Sequence, residues 1–432
     1  MKKSKFIKSS IILLIGGIAT KILGMLAKII LTREIGTTGM GLYSLLLPTF
    51  LLLLSLSGMG LSTALNVLIS TNKYNNKNLI ITSLFFSLLM DTILFIILFL
   101  FSKFIAVSLL HDTRLYYPLL CIGFILPFIT ISNIFRSYFF SKERMIPHVI
   151  SNIIEDLLKV LIIYFGLTYF TDNLESAISF VVLSNIICEL ASIIIFLFCF
   201  PNFTIKKDDF KLKKNNIKAI FKIALPTTFS RLVGSFTYFL EPIILTFLLL
   251  KIGYTNEFVI DEYGIINGYV LPIIMLPSFF TNAISQALMP IISKNYANKK
   301  YKYVKNKIIQ AIIISLIIGI SFSIVCLFWG DKLLLFLYNT TEGLNYLKFL
   351  VPIFLFYYLE GPILSSLQAM NKANINLRIS IINFFIRTVF LAILTSLSIG
   401  MYGLLISLAL NILFTVIYAI YYINKLLKNV NS

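Results

Sequence analysis

Basic residues stand in the middle of long apolar runs, and one such residue recurs in a similar context in each half of the chain. The first is Lys21, in Thr20-Lys21-Ile22-Leu23-Gly24, and the second is Arg231, in Ser230-Arg231-Leu232-Val233-Gly234. A cation at the centre of a bilayer costs at least about 2.5–3.5 kcal/mol. A chain that places such a charge in both halves is expected to use it, and the corresponding chemistry is the binding of an anionic group.

Two further cations follow Lys21 toward the end of the same run. Lys28 comes seven residues later, which places it on the same helical face about 10 Å away, and Arg33 follows near the outer end. An arginine such as Arg231 can bind phosphate oxygens through two parallel hydrogen bonds, whereas a lysine acts as a point charge. The alternative for Lys28 and Arg33 is that their charged groups reach the lipid headgroups.

A second matched pair of cations, Lys159 and Arg387, also falls in the middle of apolar runs. Glu155 precedes Lys159 by four residues, so an ion pair within one helix is the alternative to a substrate contact. For Arg387 the alternative is a brace between helices formed with Glu360. The sequence leaves both choices open.

Acidic residues within the apolar runs are candidate sites for a coupling Na⁺ or proton. Glu241 precedes Pro242, which frees a backbone carbonyl beside the carboxylate, but an ion pair with Lys28 or Arg231 explains Glu241 equally well. Asp91 is a second candidate. Its alternative is a hydroxyl cluster on its own helix, formed by Ser83, Ser87 and Thr92.

The composition indicates that these residues are carried by membrane-spanning helices. Of 432 residues, 58% are hydrophobic, which excludes the soluble globular classes, and the apolar runs are long enough to cross a bilayer. We predict an all-α integral membrane protein with about twelve spans. Their approximate bounds are 9–31, 39–69, 79–101, 115–140, 148–170, 174–200, 217–250, 262–292, 308–329, 344–370, 376–397 and 400–424.

The distribution of charge predicts that both termini are cytoplasmic. With the N-terminus inside, Lys and Arg concentrate in the inner segments, and the net charge of +19 is explained by loops beside anionic lipid rather than by nucleic acid. A basic stretch at 201–216 separates an N-terminal lobe, 1–200, from a C-terminal lobe, 217–432. Each lobe contains six spans, so the two are expected to be parallel repeats about a pseudo-two-fold axis.

The N-terminal region resembles a known family. Gly17-Ile-Ala-Thr-Lys21-Ile-Leu-Gly24, Arg33-Glu-Ile-Gly36, Gly39-Met-Gly-Leu-Tyr43 and Ser57-Gly-Met-Gly60 are similar to the opening of the stage V sporulation protein B family. That family is similar to the polysaccharide exporters and lipid II flippases of the multidrug/oligosaccharidyl-lipid/polysaccharide (MOP) superfamily. The resemblance implies two six-helix lobes arranged in a V around a central cavity. It also implies that an undecaprenyl-diphosphate-linked sugar moves to the outer leaflet by alternating access.

These expectations define the predicted function. The protein is expected to be a transporter in the bacterial cytoplasmic membrane, without a cofactor, and coupled to Na⁺, protons or the membrane potential. Its expected partners are an anionic lipid-linked glycan and anionic lipids, and as a monomer it could associate with cell-wall synthesis enzymes. The lipid II flippases have two further spans that help to form a lipid-tail groove, so a groove of that kind is not expected here.

Two other functions are alternatives to the flippase. A cation-coupled multidrug or metabolite exporter would favour carboxylates at the matched positions, where this chain has cations. A membrane-embedded glycosyltransferase would be expected to carry large outer loops with catalytic groups, and the predicted outer loops are short. The chain also contains no Walker A sequence, so no ATPase activity of its own is predicted.

Overall fold

The computed structural model describes residues 2–71, 74–142, 144–170, 173–201, 207–370 and 373–428. Within these ranges the chain is helical and contains no β-strand. The α-helices are α1 (Lys2–Gly58), α2 (Leu61–Ser70), α3 (Asn76–Phe104), α4 (Tyr116–Ser141), α5 (Met145–Gly166), α6 (Leu174–Cys199), α7 (Lys214–Ile252), α8 (Asn256–Gly264), α9 (Leu271–Ile274), α10 (Ser278–Ala297), α11 (Tyr301–Tyr338), α12 (Leu344–Ala369), α13 (Ala373–Thr395) and α14 (Tyr402–Lys428). Short 3₁₀ segments lie at Thr113–Leu115, Leu167–Tyr169 and Lys207–Phe210, and π-helical turns lie at Ile105–Leu109 and Ile265–Val270.

Among the described residues, nine helices are long and apolar enough to cross a membrane, or up to ten if a bent pair counts as one span. The prediction of an all-α membrane protein is therefore confirmed. The count of twelve remains a prediction. It requires the two parts of α1 on either side of Gly36 to be separate spans, and it requires α5, which carries Glu155, Asp156 and Lys159, to be one.

Most breaks in the helices do not occur at proline, although several prolines lie within the predicted spans. Gly36 has φ 67° and ψ −170°, a conformation that essentially only glycine adopts, and Trp329 interrupts α11. Pro48, Pro127 and Pro362 instead lie inside helices that continue through them. A proline removes one backbone hydrogen bond, and the rest of a long apolar helix still satisfies its backbone internally.

Two of the predicted spans are divided by such breaks. The span predicted at 39–69 is divided between α1 and α2, where Met59 and Gly60 have φ values of 42° and 60°. The span predicted at 262–292 bends by 54° between Asn256–Ile274 and Ser278–Ala297. Here the intervening Pro277 does coincide with a break.

The chain divides into two compact units, Met1–Phe239 and Leu240–Ser432. The boundary lies inside α7, because the first part of that helix packs with the N-terminal unit: Ile220 and Ala224 are buried in one core with residues of α2, α3 and α4. The lobe boundaries predicted at 200 and 217 remain a prediction. Residues 202–206 of the predicted linker lie outside the described residues.

The apolar cores show which helices hold each unit together. In the first unit a second core joins α1 to α5 and α6 through Leu31, Ile163 and Val181. In the second unit one core joins α10, α11, α12, α13 and α14, with Ile292, Val304 and Ile363 among its most buried members. The polar residues of interest lie on the same helices, so these cores set their positions.

Candidate functional site

Arg231 lies on the part of α7 that belongs to the first unit, and its guanidinium contacts a hydroxyl of α2. Its side chain is exposed, and Nη2 donates to Thr63 Oγ1 at 3.1 Å. Ser235, one turn later on the same face of α7, is 2.6 Å from the hydroxyl of Ser55 in α1. The guanidinium therefore lies at a seam of hydroxyl groups between α7 and the broken span of α1 and α2.

Gly60 sets how closely this seam packs. A Cβ atom at Gly60 would collide with Thr227 Oγ1 and would lie 2.6 Å from the carbonyl oxygen of Ala224. Its φ of 60° is also strained for a residue with a side chain. Thr227 precedes Arg231 by four residues, so the contact at Gly60 also fixes the face of α7 that carries Arg231.

The cations of α1 differ in exposure. Lys21 and Arg33 are exposed, and Lys28 is half-buried. The helix is continuous between Lys21 and Lys28, so the seven-residue spacing does place both on one face. Near its N-terminus α1 packs closely on α5, where Gly16 leaves no room for a Cβ beside Val149.

A cluster of ionised groups connects α4, α5 and α6. Arg136 Nη2 forms an ion pair with Glu155 Oε2 at 2.9 Å, and the hydroxyl of Ser192 donates to the same oxygen at 3.0 Å. The predicted pairing of Glu155 with Lys159 inside α5 is therefore not the contact observed. Arg136 was not among the predicted site residues, because its only signal in the sequence is a cation near the end of an apolar run.

Lys21 and Lys159 belong to the same electrostatic environment. Both are near enough to the carboxylate of Asp156 to interact with its charge, as are Arg136 and Glu155. Lys159 also lies near Glu189 on α6. The described part of the first unit thus brings Lys21 of α1 to the cluster on α4–α6, a proximity that the sequence did not predict.

Asp91 is buried at the middle of α3 and is bonded to two other helices. Ser57 Oγ in α1 donates to Oδ1 at 2.5 Å, and Thr130 Oγ1 in α4 donates to Oδ2 at 2.6 Å. The alternative of a hydroxyl cluster on α3 is wrong, because the hydroxyls of Ser87 and Thr92 donate to backbone carbonyls of their own helix. The carboxylate therefore joins three helices of the first unit.

The second unit contains a buried ion pair between Glu241 and Arg387. Arg387 Nη2 is 2.5 Å from Glu241 Oε2, Arg387 Nε donates to the same oxygen at 2.6 Å, and the two side chains are only 11% and 8% exposed. Tyr263 donates its hydroxyl to Glu241 Oε1 at 3.3 Å. The expected partners of Glu241, Lys28 or Arg231, are thus replaced by a cation that lies 146 residues later in the chain.

Amide and hydroxyl groups surround this pair on the next helices. Asn383, one turn before Arg387 on α13, donates to Thr415 Oγ1 of α14 at 2.8 Å, and Asn411 of α14 donates to the carbonyl of Asn383 at 3.2 Å. Glu360 on α12 is near enough to Arg387 for their charges to interact. The brace expected between Glu360 and Arg387 is therefore formed mainly by Glu241.

The predicted and observed cations within the helices are thus of two kinds. Arg387 and Arg136 form ion pairs with glutamates, and Lys159 lies among acids. Lys21, Arg33 and Arg231 are exposed. Sequence spacing could not distinguish these groups, because the partner of each paired arginine lies on another helix. The hydroxyls of Ser55, Thr63 and Ser235 were also missed, since serine and threonine are common in membrane helices.

Comparison with known proteins identifies the family. The model of the polysaccharide biosynthesis protein family matches residues 6–296, and the MatE family model matches residues 234–394. Stage V sporulation protein B of Bacillus subtilis is 31% identical over 93% of this chain and 80% of its own length. The lipid II flippase MurJ of Bacillus subtilis is 22% identical over 85% of this chain and 73% of its own length.

Solved structures establish the fold. An inward-facing multidrug resistance MATE family transporter of the MOP superfamily superposes with a TM-score of 0.78 and 14% identity, covering 95% of each chain. The likeness confirms the predicted two-lobe fold, and the sequence matches confirm the resemblance inferred from the N-terminal motifs between Gly17 and Gly60. The chain therefore belongs to the polysaccharide biosynthesis protein family and is a multi-pass membrane transporter of the MOP superfamily.

Proposed function

We propose that the protein is an alternating-access flippase that moves an anionic, undecaprenyl-diphosphate-linked glycan precursor from the inner to the outer leaflet. The glycan would be a lipid II of peptidoglycan or spore cortex, or a polysaccharide unit. The membrane would be the bacterial cytoplasmic membrane. The observation that carries the proposal is the exposed guanidinium of Arg231 among hydroxyl groups.

The surroundings of Arg231 favour a water-filled cavity over lipid. A charged group that faced hydrocarbon would be expected to reach toward the headgroups, without polar neighbours at its own depth. Arg231 instead contacts Thr63, and the Ser55–Ser235 pair lies one turn away. An arginine held in this way keeps further N–H donors available for an anion.

Lys21 supplies a second exposed cation in the same unit. A diphosphate that leaves the headgroup layer loses hydration, and charge-assisted hydrogen bonds from Arg231 and Lys21 would replace part of it. Lys28 and Arg33 would extend the positive charge along α1. Arg387, by contrast, is paired with Glu241, so we assign it a structural role in bracing α7 against α13.

The relatives support this substrate class. The MurJ relative is described as a lipid II flippase, and the family model is named for polysaccharide biosynthesis. We further propose that the protein works as a monomer beside anionic lipids, and that enzymes of cell-wall synthesis supply or consume its substrate. Na⁺, protons or the membrane potential would drive the cycle.

The test is outward movement of a fluorescent undecaprenyl-diphosphate sugar in proteoliposomes. Arg231→Ala and Lys21→Ala should each lower the initial rate by about tenfold or more, because each removes a charge-assisted hydrogen bond worth about 1.5–3 kcal/mol. Arg231→Lys should retain an intermediate rate, because it keeps the charge and loses the paired donors.

The matched controls are exposed lysines at helix ends. Lys251 lies in the last turn of α7, the helix that also carries Arg231, and Lys103 lies in the last turn of α3. The control variants are Lys251→Ala and Lys103→Ala. Both should move the lipid at the wild-type rate. Wild-type rates in Arg231→Ala and Lys21→Ala, at equal protein levels, would overturn the proposed mechanism.

A cation-coupled multidrug exporter is the second candidate. The match of residues 234–394 to the MatE family and the TM-score of 0.78 to a multidrug MATE transporter favour it. The exposed cations oppose it, since cationic drugs would be repelled by Lys21 and Arg231. Ethidium efflux that depends on Na⁺ or on pH would support this candidate over the flippase.

A further inference from the structure

Asp91 has the geometry of a proton-binding site. Its carboxylate is 1% exposed, at the middle of an apolar helix, and each of its oxygens accepts a hydrogen bond from the hydroxyl of another helix. Among the described residues no cation forms an ion pair with Asp91. An intramembrane carboxylate held by hydroxyls alone differs from the ion-paired acids elsewhere in the protein.

We propose that Asp91 binds the coupling proton of the transport cycle and that its protonation loosens the break between α1 and α2 that positions Arg231. The proposal deepens the proposed function, on which it rests for the role of Arg231. It assigns the coupling ion and the site that binds it. It also assigns the element that connects this site to the substrate cation.

Both oxygens of Asp91 are bonded to hydroxyl hydrogens. Ser57 Oγ and Thr130 Oγ1 lie 2.5 and 2.6 Å from the two carboxylate oxygens, the separation of charge-assisted O–H···O hydrogen bonds. A proton added to one oxygen therefore exchanges donor and acceptor roles within an existing network of hydrogen bonds.

Protonation changes how these hydroxyls can bond. The ionised carboxylate only accepts, so both hydroxyls donate to it, whereas a carboxylic acid must donate once. Thr130 can adapt, because its hydroxyl can donate instead to the carbonyl oxygens of Leu126 and Pro127, which lie 3.1 and 3.0 Å away. The bond from Ser57 then loses its charge-assisted character, which is about half of its strength.

Ser57 is directly before the break in the span. It lies in the last turn of α1, and Met59 and Gly60, both with positive φ, follow it. Thr63, in the first turn of α2, contacts the guanidinium of Arg231. A weaker bond at Ser57 therefore acts on the residues that orient Arg231.

No other charged group in the described structure substitutes for Asp91 at this position. The helices that pack on α3 are α1, α2 and α4, together with the 3₁₀ segment Lys207–Phe210 and the π-turn Ile105–Leu109. The nearest cation along α4, Arg136, is six residues beyond Thr130 and is paired with Glu155. The carboxylate of Asp209 contacts the N-terminal end of α3, where the N-cap residue Asn75 donates to it. The other titratable residues of α4 and of α1 beyond Gly36 are Tyr43, Tyr116, Tyr117, Cys121 and Tyr138.

The test is hydrogen–deuterium exchange of the intact protein in lipid nanodiscs at about pH 5.5 and about pH 8, corrected for intrinsic exchange. Amides of the peptide covering 55–70 should be at least about threefold better protected at the higher pH. Asp91→Asn, which presents one donor and one acceptor like the protonated acid, should show the less protected state at both pH values. Ser57→Ala should also lose the pH dependence of this peptide. Glu257→Gln, an exposed carboxylate in the second unit, should behave like the wild type.

Exchange and lipid movement distinguish the two proposals. The inference is supported if protection of the peptide 55–70 depends on pH in the wild type and does not in Asp91→Asn and Ser57→Ala. This holds even if no lipid-linked glycan moves. In that case only the proposed function fails. The inference is overturned if protection of 55–70 is the same at both pH values in the wild type, or if Asp91→Asn keeps the wild-type dependence.

Discussion

At the scale of single residues, the protein uses its intramembrane charges in two ways. Some are neutralised by partners on other helices, as in Glu241–Arg387 and Arg136–Glu155. Arg231, by contrast, is exposed, and its guanidinium contacts the neutral hydroxyl of Thr63. A paired arginine braces helices, whereas an exposed arginine keeps donors for a ligand, so the two groups should respond differently to substitution.

The buried pair gives a stability prediction. Glu241→Ala or Arg387→Ala should each destabilise the protein by about 3–5 kcal/mol, because each leaves a buried charge without its partner. The double variant Glu241→Leu with Arg387→Met should recover most of this loss, since neither charge remains. Unfolding in detergent by denaturant or heat measures the difference, and Glu257→Gln serves as the exposed-carboxylate control. A double variant no more stable than either alanine variant would contradict the assignment.

The sequence predicted which residues carry charge within the membrane but not their partners. Spacing within one helix suggested Glu155–Lys159, yet Glu155 pairs with Arg136 of another helix. Glu241 and Arg387 are 146 residues apart, and no local pattern connects them. Ion pairs between helices depend on rotation and depth, which follow from packing of the apolar faces and not from nearby sequence.

At the scale of the helices, the breaks in the spans position the residues of the candidate site. α1 is kinked at Gly36, and α1 and α2 are separated at Met59 and Gly60. Gly36 lies between the first two predicted spans, 9–31 and 39–69, whereas the break at Met59 and Gly60 was not predicted from the sequence. Glycine is common in membrane helices, and most glycines there do not interrupt the helical backbone. Only the combination of a positive φ and a close neighbour makes Gly60 irreplaceable.

The glycines of this region form a matched series. Gly24→Ala in α1 meets open space and should leave stability about unchanged or raise it by up to about 1 kcal/mol. Gly36→Ala also meets open space, but its positive φ should cost about 1–3 kcal/mol. Gly60→Ala combines a positive φ with contacts to Thr227 and Ala224 and should be the most destabilising. Thermal unfolding of the three variants tests this order, and a Gly60→Ala protein as stable as Gly24→Ala would refute the close packing of α7 on the break.

At the scale of the whole molecule, composition and charge predicted more than any single motif. A hydrophobic fraction of 58% established the membrane class, and the family comparisons confirm a transporter of the MOP superfamily. The number of spans is harder to predict from hydropathy, because α5 carries three charged residues and two predicted spans are broken. Apolar length alone therefore finds nine or ten candidates among the described residues.

The predicted topology can be measured directly. With both termini cytoplasmic, a fluorescent protein fused after Ser432 should fold and fluoresce, and a periplasmic phosphatase reporter at the same site should be inactive. A phosphatase reporter placed after Asp112, in a predicted outer loop, should be active. The opposite pattern would mean an odd number of spans before Ser432 or an even number before Asp112, and either would contradict the charge-based topology.

The central claim is that Arg231 binds the diphosphate of a lipid-linked glycan, and the most direct measurement is equilibrium binding to purified protein in nanodiscs. A sugar linked to a short-chain polyprenyl diphosphate should bind at least about tenfold more weakly to Arg231→Ala than to the wild type, with Arg231→Lys between them. A zwitterionic lipid of equal tail length should show no difference among the three. Equal affinity of the wild type and Arg231→Ala for the diphosphate lipid would contradict the account.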